Sequence, residues 1–200
     1  MLREPGMRLL KGAVFVLGLL PFAWLAWLTW QQQLGPEPVE TLTHGTGDWA
    51  LRFLLLTLAM TPARHLTGRA EFIRLRRMLG LYAFFYLCLH FAIYLGLEHA
   101  FDWGEIQRDI LKRPYVTVGF AAWLLMIPLA LTSTQGMMRR LGRRWKVLHR
   151  LVYVIAILAV LHFLWLVKAD LREPLLYAAV LAVLLGLRLR WQPLRARRFR

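Results

Sequence analysis

Acidic side chains and cysteine are scarce in this chain of 200 residues. It has 11 Asp and Glu against 26 Lys and Arg, which gives a formal net charge of +15. The basic residues form clusters between apolar runs. This arrangement favours cytoplasmic anchors of a membrane protein over a nucleic-acid surface, so no nucleic-acid partner is expected. The one cysteine, Cys88, lies in an apolar run and excludes an internal disulfide.

Long polar segments and nucleotide-binding motifs are also missing. No stretch between the apolar runs is long enough for a soluble domain, no internal repeat is evident, and neither a Rossmann fingerprint nor a P-loop occurs. The chain therefore cannot bind a nicotinamide dinucleotide in a globular domain of its own. Any electrons that it handles must come from another molecule.

Apolar residues are abundant instead. They make up 58% of the sequence, above the roughly 45–50% of ordinary globular domains, and the nine tryptophans are typical of aromatic belts at two membrane interfaces. A spanning helix needs about 20 apolar residues. The candidate segments are residues 9–30, 49–61, 79–97, 116–134, 147–167 and 175–189. We therefore predict an all-α integral membrane protein, a single domain over residues 1–200 built as a bundle of six transmembrane helices.

The charged residues are distributed unevenly between alternate loops. With six spans, one side holds 20 of the 26 basic residues, and the other side holds nine of the 11 acids. The basic side comprises the N-terminus, the loops before the third and fifth segments, and the C-terminus. Because cytoplasmic loops carry an excess of Lys and Arg, both termini are predicted to be cytoplasmic. Residues 31–48 and 99–115 are then outer loops, in which His44 and His99 are expected to be exposed.

Two histidines on different predicted helices lie at similar depth. The third and fifth segments both run outward, which puts His90 and His162 in their outer halves. Ionisable side chains at membrane depth usually mark a function, and a neutral imidazole nitrogen is a common iron ligand. We predict that these histidines ligate one heme from opposite sides of the porphyrin. Since no C-x-x-C-H motif is present, ligation and packing alone would hold it, as a b-type heme.

A third histidine, His149, lies nearer the cytoplasmic end of the fifth segment. On an ideal helix, His149 and His162 are about 20 Å apart along the axis but about 220° apart around it, so they would not share a face. The matching positions of the third segment hold Arg76 and Arg77, candidates to pair with heme propionates or a flavin phosphate. His149 either ligates a second heme, alone or with a non-helical partner, or serves a flavin or quinone entry site. His44 is a candidate to cover a heme edge or to contact a partner.

Five stretches of the sequence together resemble a known family. They are Gly18-Leu19-Leu20-Pro21-Phe22, Arg76-Arg77-Met78-Leu79-Gly80-Leu81, Arg113-Pro114-Tyr115, Thr132-Ser133-Thr134-Gln135, and Gly142-Arg143-Arg144-Trp145 with Leu148-His149. In combination, and over nearly the whole chain, they resemble the heme-binding membrane subunit of the bacterial periplasmic methionine-sulfoxide reductase system. That subunit belongs to the ferric-reductase-like transmembrane group.

The resemblance implies a cytochrome b of the bacterial inner membrane that conducts electrons outward. Such a subunit takes electrons from the quinone pool or a cytoplasmic flavin reductase. It passes them to a periplasmic molybdopterin enzyme, which reduces methionine sulfoxide in oxidised envelope proteins. The resemblance also implies FMN and one or two hemes, and it matches His90, His149 and His162 to the family's heme histidines. On this interpretation the chain is an electron-transfer subunit rather than the catalytic one.

Two other functions remain open at this point. A self-contained ferric or oxygen reductase would need an open coordination position on a heme near the outer surface. A non-redox membrane scaffold would use the histidines only for hydrogen bonds between helices.

Overall fold

The chain folds into helices and turns, with no strand, over residues 4–191, which the computed structural model describes. The helices are α1 (Glu4–Trp30), α2 (Pro38–Thr67), α3 (Glu71–Ile93), α4 (Trp103–Lys112), α5 (Pro114–Leu131), α6 (Gln135–Leu141), α7 (Arg143–Leu148), α8 (Leu151–Leu166) and α9 (Arg172–Trp191). A π-helical turn, Tyr94–Glu98, continues α3. The all-α prediction is confirmed. Arg3, Arg195, Arg197, Arg198 and Arg200, which contribute to the predicted charge bias, lie outside the described residues.

Four helical segments among the described residues are long and apolar enough to cross a membrane, judged by length and composition, and the fourth consists of α7 and α8. They cover Pro5–Trp30, Glu71–Glu98, Pro114–Leu131 and Arg143–Leu166, and they correspond to the first, third, fourth and fifth predicted segments. The second and sixth predicted segments fall in α2 and α9, which are not among the four. Both of these helices contain arginine within their apolar stretches.

One arginine of α2 and one of α9 contact other helices. Arg52 on α2 donates a hydrogen bond from Nε to the Tyr177 hydroxyl on α9, at 2.8 Å. Nearer the end of α9, Arg188 is only 8% exposed and donates to the Tyr153 hydroxyl on α8 and to the Leu58 carbonyl on α2. Polar contacts therefore fix α9 to its neighbours at two levels. A hydropathy pattern does not register such contacts, because it treats every arginine as solvated.

The second helix begins well before its predicted start. Residues 31–48 were predicted as a loop, but α2 begins at Pro38, where proline's missing N–H costs no hydrogen bond. The hydroxyls of Thr43 and Thr46 bond to carbonyls one turn back, at 2.8 and 2.7 Å, so these polar residues are satisfied within the helix. The loop prediction was wrong from Pro38 onward. His44 consequently lies on a helix and not in a loop.

The fifth predicted helix is interrupted. α7 ends at Leu148, and a turn at His149 and Arg150 separates it from α8. The backbone amide of Arg150 bonds to the carbonyl three residues back, at 3.1 Å, which is the tighter 3₁₀ spacing. The prediction of one continuous helix over 147–167 was wrong at this point. The offset that an ideal helix would impose between His149 and His162 therefore does not apply.

The predicted outer loop 99–115 contains a helix, α4, and encloses a histidine. His99 is 6% exposed, with Nε2 3.3 Å from Asp109 and Nδ1 3.4 Å from Glu105. The Tyr94 ring in the π-helical turn lies 4.6 Å from the His99 ring, centre to centre. The expectation that His99 is exposed was wrong, because carboxylates from α4 and this aromatic ring surround it.

α1 is attached to α3 through a tyrosine hydroxyl. Tyr86 is fully buried, and its hydroxyl donates to the Gly18 carbonyl (2.8 Å) and accepts from the Phe22 amide (3.0 Å). These two backbone groups bond to each other in a regular α-helix, and Pro21 lies between them. The hydroxyl thus enters the α1 hydrogen-bond ladder at the point where proline disturbs it.

We expect Tyr86→Phe to loosen α1 and to lower the free energy of unfolding by about 1–3 kcal/mol, because two buried backbone groups lose their partner. Hydrogen–deuterium exchange of the purified protein should then be faster around Pro21. Tyr82→Phe is the matched control, since the Tyr82 hydroxyl donates to the Phe15 carbonyl on α1, whereas Tyr86 bonds to two backbone groups, so its effect should be smaller. Unchanged exchange in Tyr86→Phe would contradict the proposed attachment.

Candidate functional site

A cavity of about 660 Å³ lies among α2, α3, α5 and α8. Its walls are mainly apolar, and the rings of Phe91, Phe120 and Trp123 pack together along one of them, with the Phe91 and Trp123 ring centres 4.3 Å apart. His90 on α3 and His162 on α8 both line the cavity. A large apolar cavity with a few convergent polar groups is the usual form of a cofactor site.

The structure brings the two predicted heme histidines together. The ring centres of His90 and His162 are 6.2 Å apart, and the ring planes are inclined at 81°. Two imidazoles that share one metal atom, each with about 2.0 Å between nitrogen and metal, have ring centres about 6 Å apart. The observed separation therefore fits a metal atom held between these two side chains.

A backbone carbonyl of the neighbouring helix holds each histidine ring. Nδ1 of His90 is 2.8 Å from the Thr43 carbonyl oxygen on α2, and Nδ1 of His162 is 2.7 Å from the Tyr115 carbonyl oxygen on α5. A carbonyl only accepts hydrogen bonds, so in both rings Nδ1 carries the hydrogen and Nε2 keeps the lone pair. Metal-binding histidines are commonly oriented in this way.

The histidine pair reveals an internal repeat. Leu89-His90-Phe91 recurs 72 residues later as Leu161-His162-Phe163, and the carbonyl partners Thr43 and Tyr115 are also 72 residues apart. The hairpins α2–α3 and α5–α8 therefore present their histidines in the same manner. This repeat is not evident in the sequence, because few other positions of the two hairpins share a residue.

Glycines make room for both rings. A Cβ atom at Gly119 would lie 2.7 Å from Nδ1 of His162, and one at Gly47 would lie 3.1 Å from Nδ1 of His90. These glycines are also 72 residues apart. A larger residue at Gly119 would have to displace the ring, whereas Gly47 allows a smaller adjustment. Neither glycine could be selected from the sequence, since its role depends on which side chain faces it across the helix pair.

Charged residues line one end of the cavity. Arg113 lies there, with Nε 3.2 Å from Asp109 and a further bond of 3.3 Å to the Tyr115 hydroxyl. His44 lines the cavity from α2. Arg113 belongs to the Arg113-Pro114-Tyr115 stretch, whose sequence alone assigns it no role. Among the described residues that line the cavity, Arg113 is the one lysine or arginine. It is therefore placed to pair with an acidic group of a bound cofactor.

The structure separates the two predicted anion-binding arginines. Arg76 is half-buried and lies close enough to His149 for their charges to interact. Arg77 is exposed and lines a groove between α1 and α3 together with Lys11 and Arg74. Neighbouring residues of a helix point about 100° apart, so one site does not receive both side chains in this arrangement.

His149 lies away from the cavity, before the start of α8. Its ring stacks on Trp145 with 3.9 Å between ring centres, and its Nε2 is 3.1 Å from the Thr132 hydroxyl oxygen. That hydroxyl donates to the Pro128 carbonyl, at 2.6 Å. It therefore accepts from Nε2 of His149, which leaves the lone pair on Nδ1. His149 is therefore held through Nε2, whereas the two cavity histidines are held through Nδ1.

The metal-binding side chains of the cavity suit a heme better than a bare metal ion. Over residues 4–191, no group of three His, Cys, Asp or Glu side chains is arranged to hold a metal ion. Protein sites for bare transition metals take three or more such ligands. Two facing histidines beside a large apolar cavity suit an iron atom whose other four ligands come from a porphyrin. The residues of this site therefore fit the group that the sequence predicted.

Comparison with known proteins places the chain in a family. Residues 46–160 match the family described as ferric reductase like transmembrane component. The chain is 60% identical over 194 residues to the protein-methionine-sulfoxide reductase heme-binding subunit MsrQ of Xanthomonas euvesicatoria pv. vesicatoria (strain 85-10), over 94% of this chain and 88% of that relative. It is 52% identical over 190 residues to the protein of the same name from Herminiimonas arsenicoxydans, over 94% of this chain and 87% of that relative. No solved structure matches. The chain therefore belongs to the ferric-reductase-like transmembrane family and, within it, to the MsrQ heme-binding subunits of protein-methionine-sulfoxide reductase.

Proposed function

We propose that the chain crosses the bacterial inner membrane six times, with both termini in the cytoplasm. α2 and α9 would cross together with the four more apolar helices, since neighbouring helices satisfy their arginines. The basic residues between α2 and α3 and those of α6 and α7 then face the cytoplasm, as the positive-inside rule expects. α4 faces the periplasm. The histidine cavity consequently lies near the periplasmic side, and His149 lies near the cytoplasmic side.

We propose that His90 and His162 are the axial ligands of a b-type heme in the cavity. The observation that carries this proposal is the pair of facing rings, 6.2 Å apart and each tied through Nδ1 to a backbone carbonyl. The aromatic and aliphatic walls would cover the porphyrin, Arg113 would pair with a propionate, and His44 would cover an edge. When bound, the heme supplies one-electron transfer.

Ligation of the iron by both histidines would leave no open position for a substrate at this site. This argues against a self-contained reductase of ferric iron or oxygen, which needs such a position. It also argues against a scaffold, because a histidine that only joins two helices does not need a second histidine ring 6.2 Å away. Electron transfer to a separate enzyme is the function that this arrangement supports best.

We propose that the acceptor is a periplasmic molybdopterin methionine-sulfoxide reductase, which repairs oxidised envelope proteins. The name of the relatives and the position of the cavity near the periplasmic side support this partner. The exposed acids Asp102 and Glu105 on that side could steer a basic patch of the enzyme. Asp109 is buried and paired with Arg113, so its charge is satisfied within the chain.

We propose that His149 and Arg76 form an electron-entry site on the cytoplasmic side. His149 keeps a lone pair on Nδ1 for a second heme, and Arg76 supplies a cation for a propionate or for the phosphate of FMN. The electrons would come from the quinone pool or from a cytoplasmic flavin reductase. The chain would then connect a donor on one side of the membrane to an acceptor on the other.

His90→Ala and His162→Ala should each remove the low-spin absorption band of the reduced protein, because each variant loses one axial ligand. A visible spectrum and a pyridine hemochrome assay on the purified protein measure this loss. His65→Ala, at the exposed end of α2, is the control and should keep the spectrum. Full low-spin heme in both cavity variants would refute the ligand assignment.

Glycine variants give a graded second test of the same site. Gly119→Ala should disturb the low-spin spectrum most, since its Cβ would meet the His162 ring, and Gly47→Ala should disturb it less. At Gly12 and Gly186 a Cβ would have nothing within 4 Å, so alanine there should leave the spectrum unchanged. Equal effects at all four positions would mean that alanine acts through the helices and not through the rings.

His149→Ala should slow reduction from the cytoplasmic side more than it changes the outer heme. Stopped-flow reduction by a quinol or by a reduced flavin measures the rate, and Arg76→Gln should change it in the same direction. Arg140→Gln, an exposed change on α6, is the control. If His149→Ala alters neither the rate nor the cofactor content, its role is limited to packing against Trp145.

The reduced chain in proteoliposomes should be reoxidised by the periplasmic reductase together with a methionine-sulfoxide substrate, and not by the substrate alone. The enzyme should act only from the membrane face opposite the basic loops. Protease cleavage within residues 139–150 shows which face of the proteoliposome carries these loops. Fast reoxidation by the sulfoxide without enzyme, or a preference for ferric chelates, would favour the self-contained reductase.

A further inference from the structure

A groove between α1 and α3 lies outside the proposed electron path. It encloses about 520 Å³ and has Lys11 on one side and Arg74 and Arg77 on the other. The rest of its lining is aliphatic or aromatic, and none of the described residues that line it is acidic. The groove therefore combines a positive group of side chains with a long apolar surface.

The three cations lie at the same end of the groove. Phe15 pairs with Tyr82 and Phe22 pairs with Phe85, with ring centres 6.1 and 5.7 Å apart, so α1 and α3 run in the same direction. Eleven residues separate Arg74 from Phe85, which is about 16 Å along a helix. One leaflet of the hydrocarbon core is about 15 Å thick, half of the roughly 30 Å total. The whole groove, from its cations to Phe85, is thus about as long as one leaflet.

We propose that this groove binds an anionic glycerophospholipid of the cytoplasmic leaflet. The lipid phosphate would lie among Lys11, Arg74 and Arg77, and an acyl chain would follow Leu19 and Leu81 toward the membrane centre. Charge complementarity selects an anionic headgroup, because Lys11 and Arg77 lie at the polar end and none of the described residues that line the groove is acidic. The bound lipid would complete the contact between α1 and α3 on the side where the two helices leave a gap. This proposal does not depend on the heme.

Native mass spectrometry of the full chain, purified after exposure to equimolar phosphatidylglycerol and phosphatidylethanolamine, tests the site. The wild type should retain one phosphatidylglycerol molecule in preference to phosphatidylethanolamine. The combined variant Lys11→Gln, Arg74→Gln and Arg77→Gln should lose that preference by roughly fivefold for each cation removed. Unchanged retention in this variant would overturn the proposal.

A charge-matched control distinguishes the groove from the general surface charge. Arg139→Gln, Arg140→Gln and Arg143→Gln together remove three exposed cations of α6 and α7 and should leave retention unchanged. An equal loss in both triple variants would mean that the lipid responds only to net charge, which overturns a site in the groove.

A groove-filling variant tests the apolar part independently. Leu19→Trp keeps all three cations but occupies the space of the acyl chain, so retention should fall while far-UV circular dichroism stays at the wild-type value. Full retention in Leu19→Trp would overturn the proposed course of the chain. Displacement of phosphatidylglycerol by FMN would assign the cations to a flavin phosphate instead, which also overturns the lipid proposal.

Discussion

The hydrogen bond from a histidine Nδ1 to a backbone carbonyl of the adjacent helix is the interaction on which this molecule depends. It occurs twice, from His90 to Thr43 and from His162 to Tyr115. In one contact it joins two helices, orients an imidazole and decides which nitrogen keeps the lone pair. It also requires the helices to approach so closely that the ring lies against the backbone, which explains the glycine one turn further along each partner helix. The cavity and its chemistry follow from these two contacts.

The two hairpins of the repeat match each other at the cavity but differ at their other end. The histidine positions of the cavity match across the 72-residue offset, whereas the positions at the other end of the two helices differ, since Arg77 on α3 corresponds to His149 before α8. The turn at His149, its stacking on Trp145 and its bond to Thr132 have no counterpart in the described part of α3. A cavity with two equivalently held histidines therefore coexists with a differently constructed surrounding of His149.

Polar residues in the bundle are tolerated because helices satisfy them in pairs. Arg52 bonds to Tyr177, and Arg188 bonds to Tyr153 and to the Leu58 carbonyl. In a low-dielectric surrounding an unpaired charge is very costly, whereas a hydrogen-bonded one is acceptable. His99 is placed differently, since its ring nitrogens lie 3.3–3.4 Å from two carboxylates of α4. These contacts allow α2 and α9 to pack among more apolar helices despite their charges.

Composition and periodicity alone determined the helical class, the four most apolar spans, and the placement of His90 and His162 at one depth on separate helices. These features depend on hydrophobicity and on residue spacing along one chain, which a sequence displays directly. Only the tertiary structure decided the early start of α2, the interruption at His149, the burial of His99, the roles of the two glycines and the separation of Arg76 from Arg77. Each of these depends on a partner across a helix pair. A polar residue that such a partner satisfies has the same sequence pattern as one that water solvates, so the pattern predicted loops and exposed side chains where the fold has helices and buried contacts.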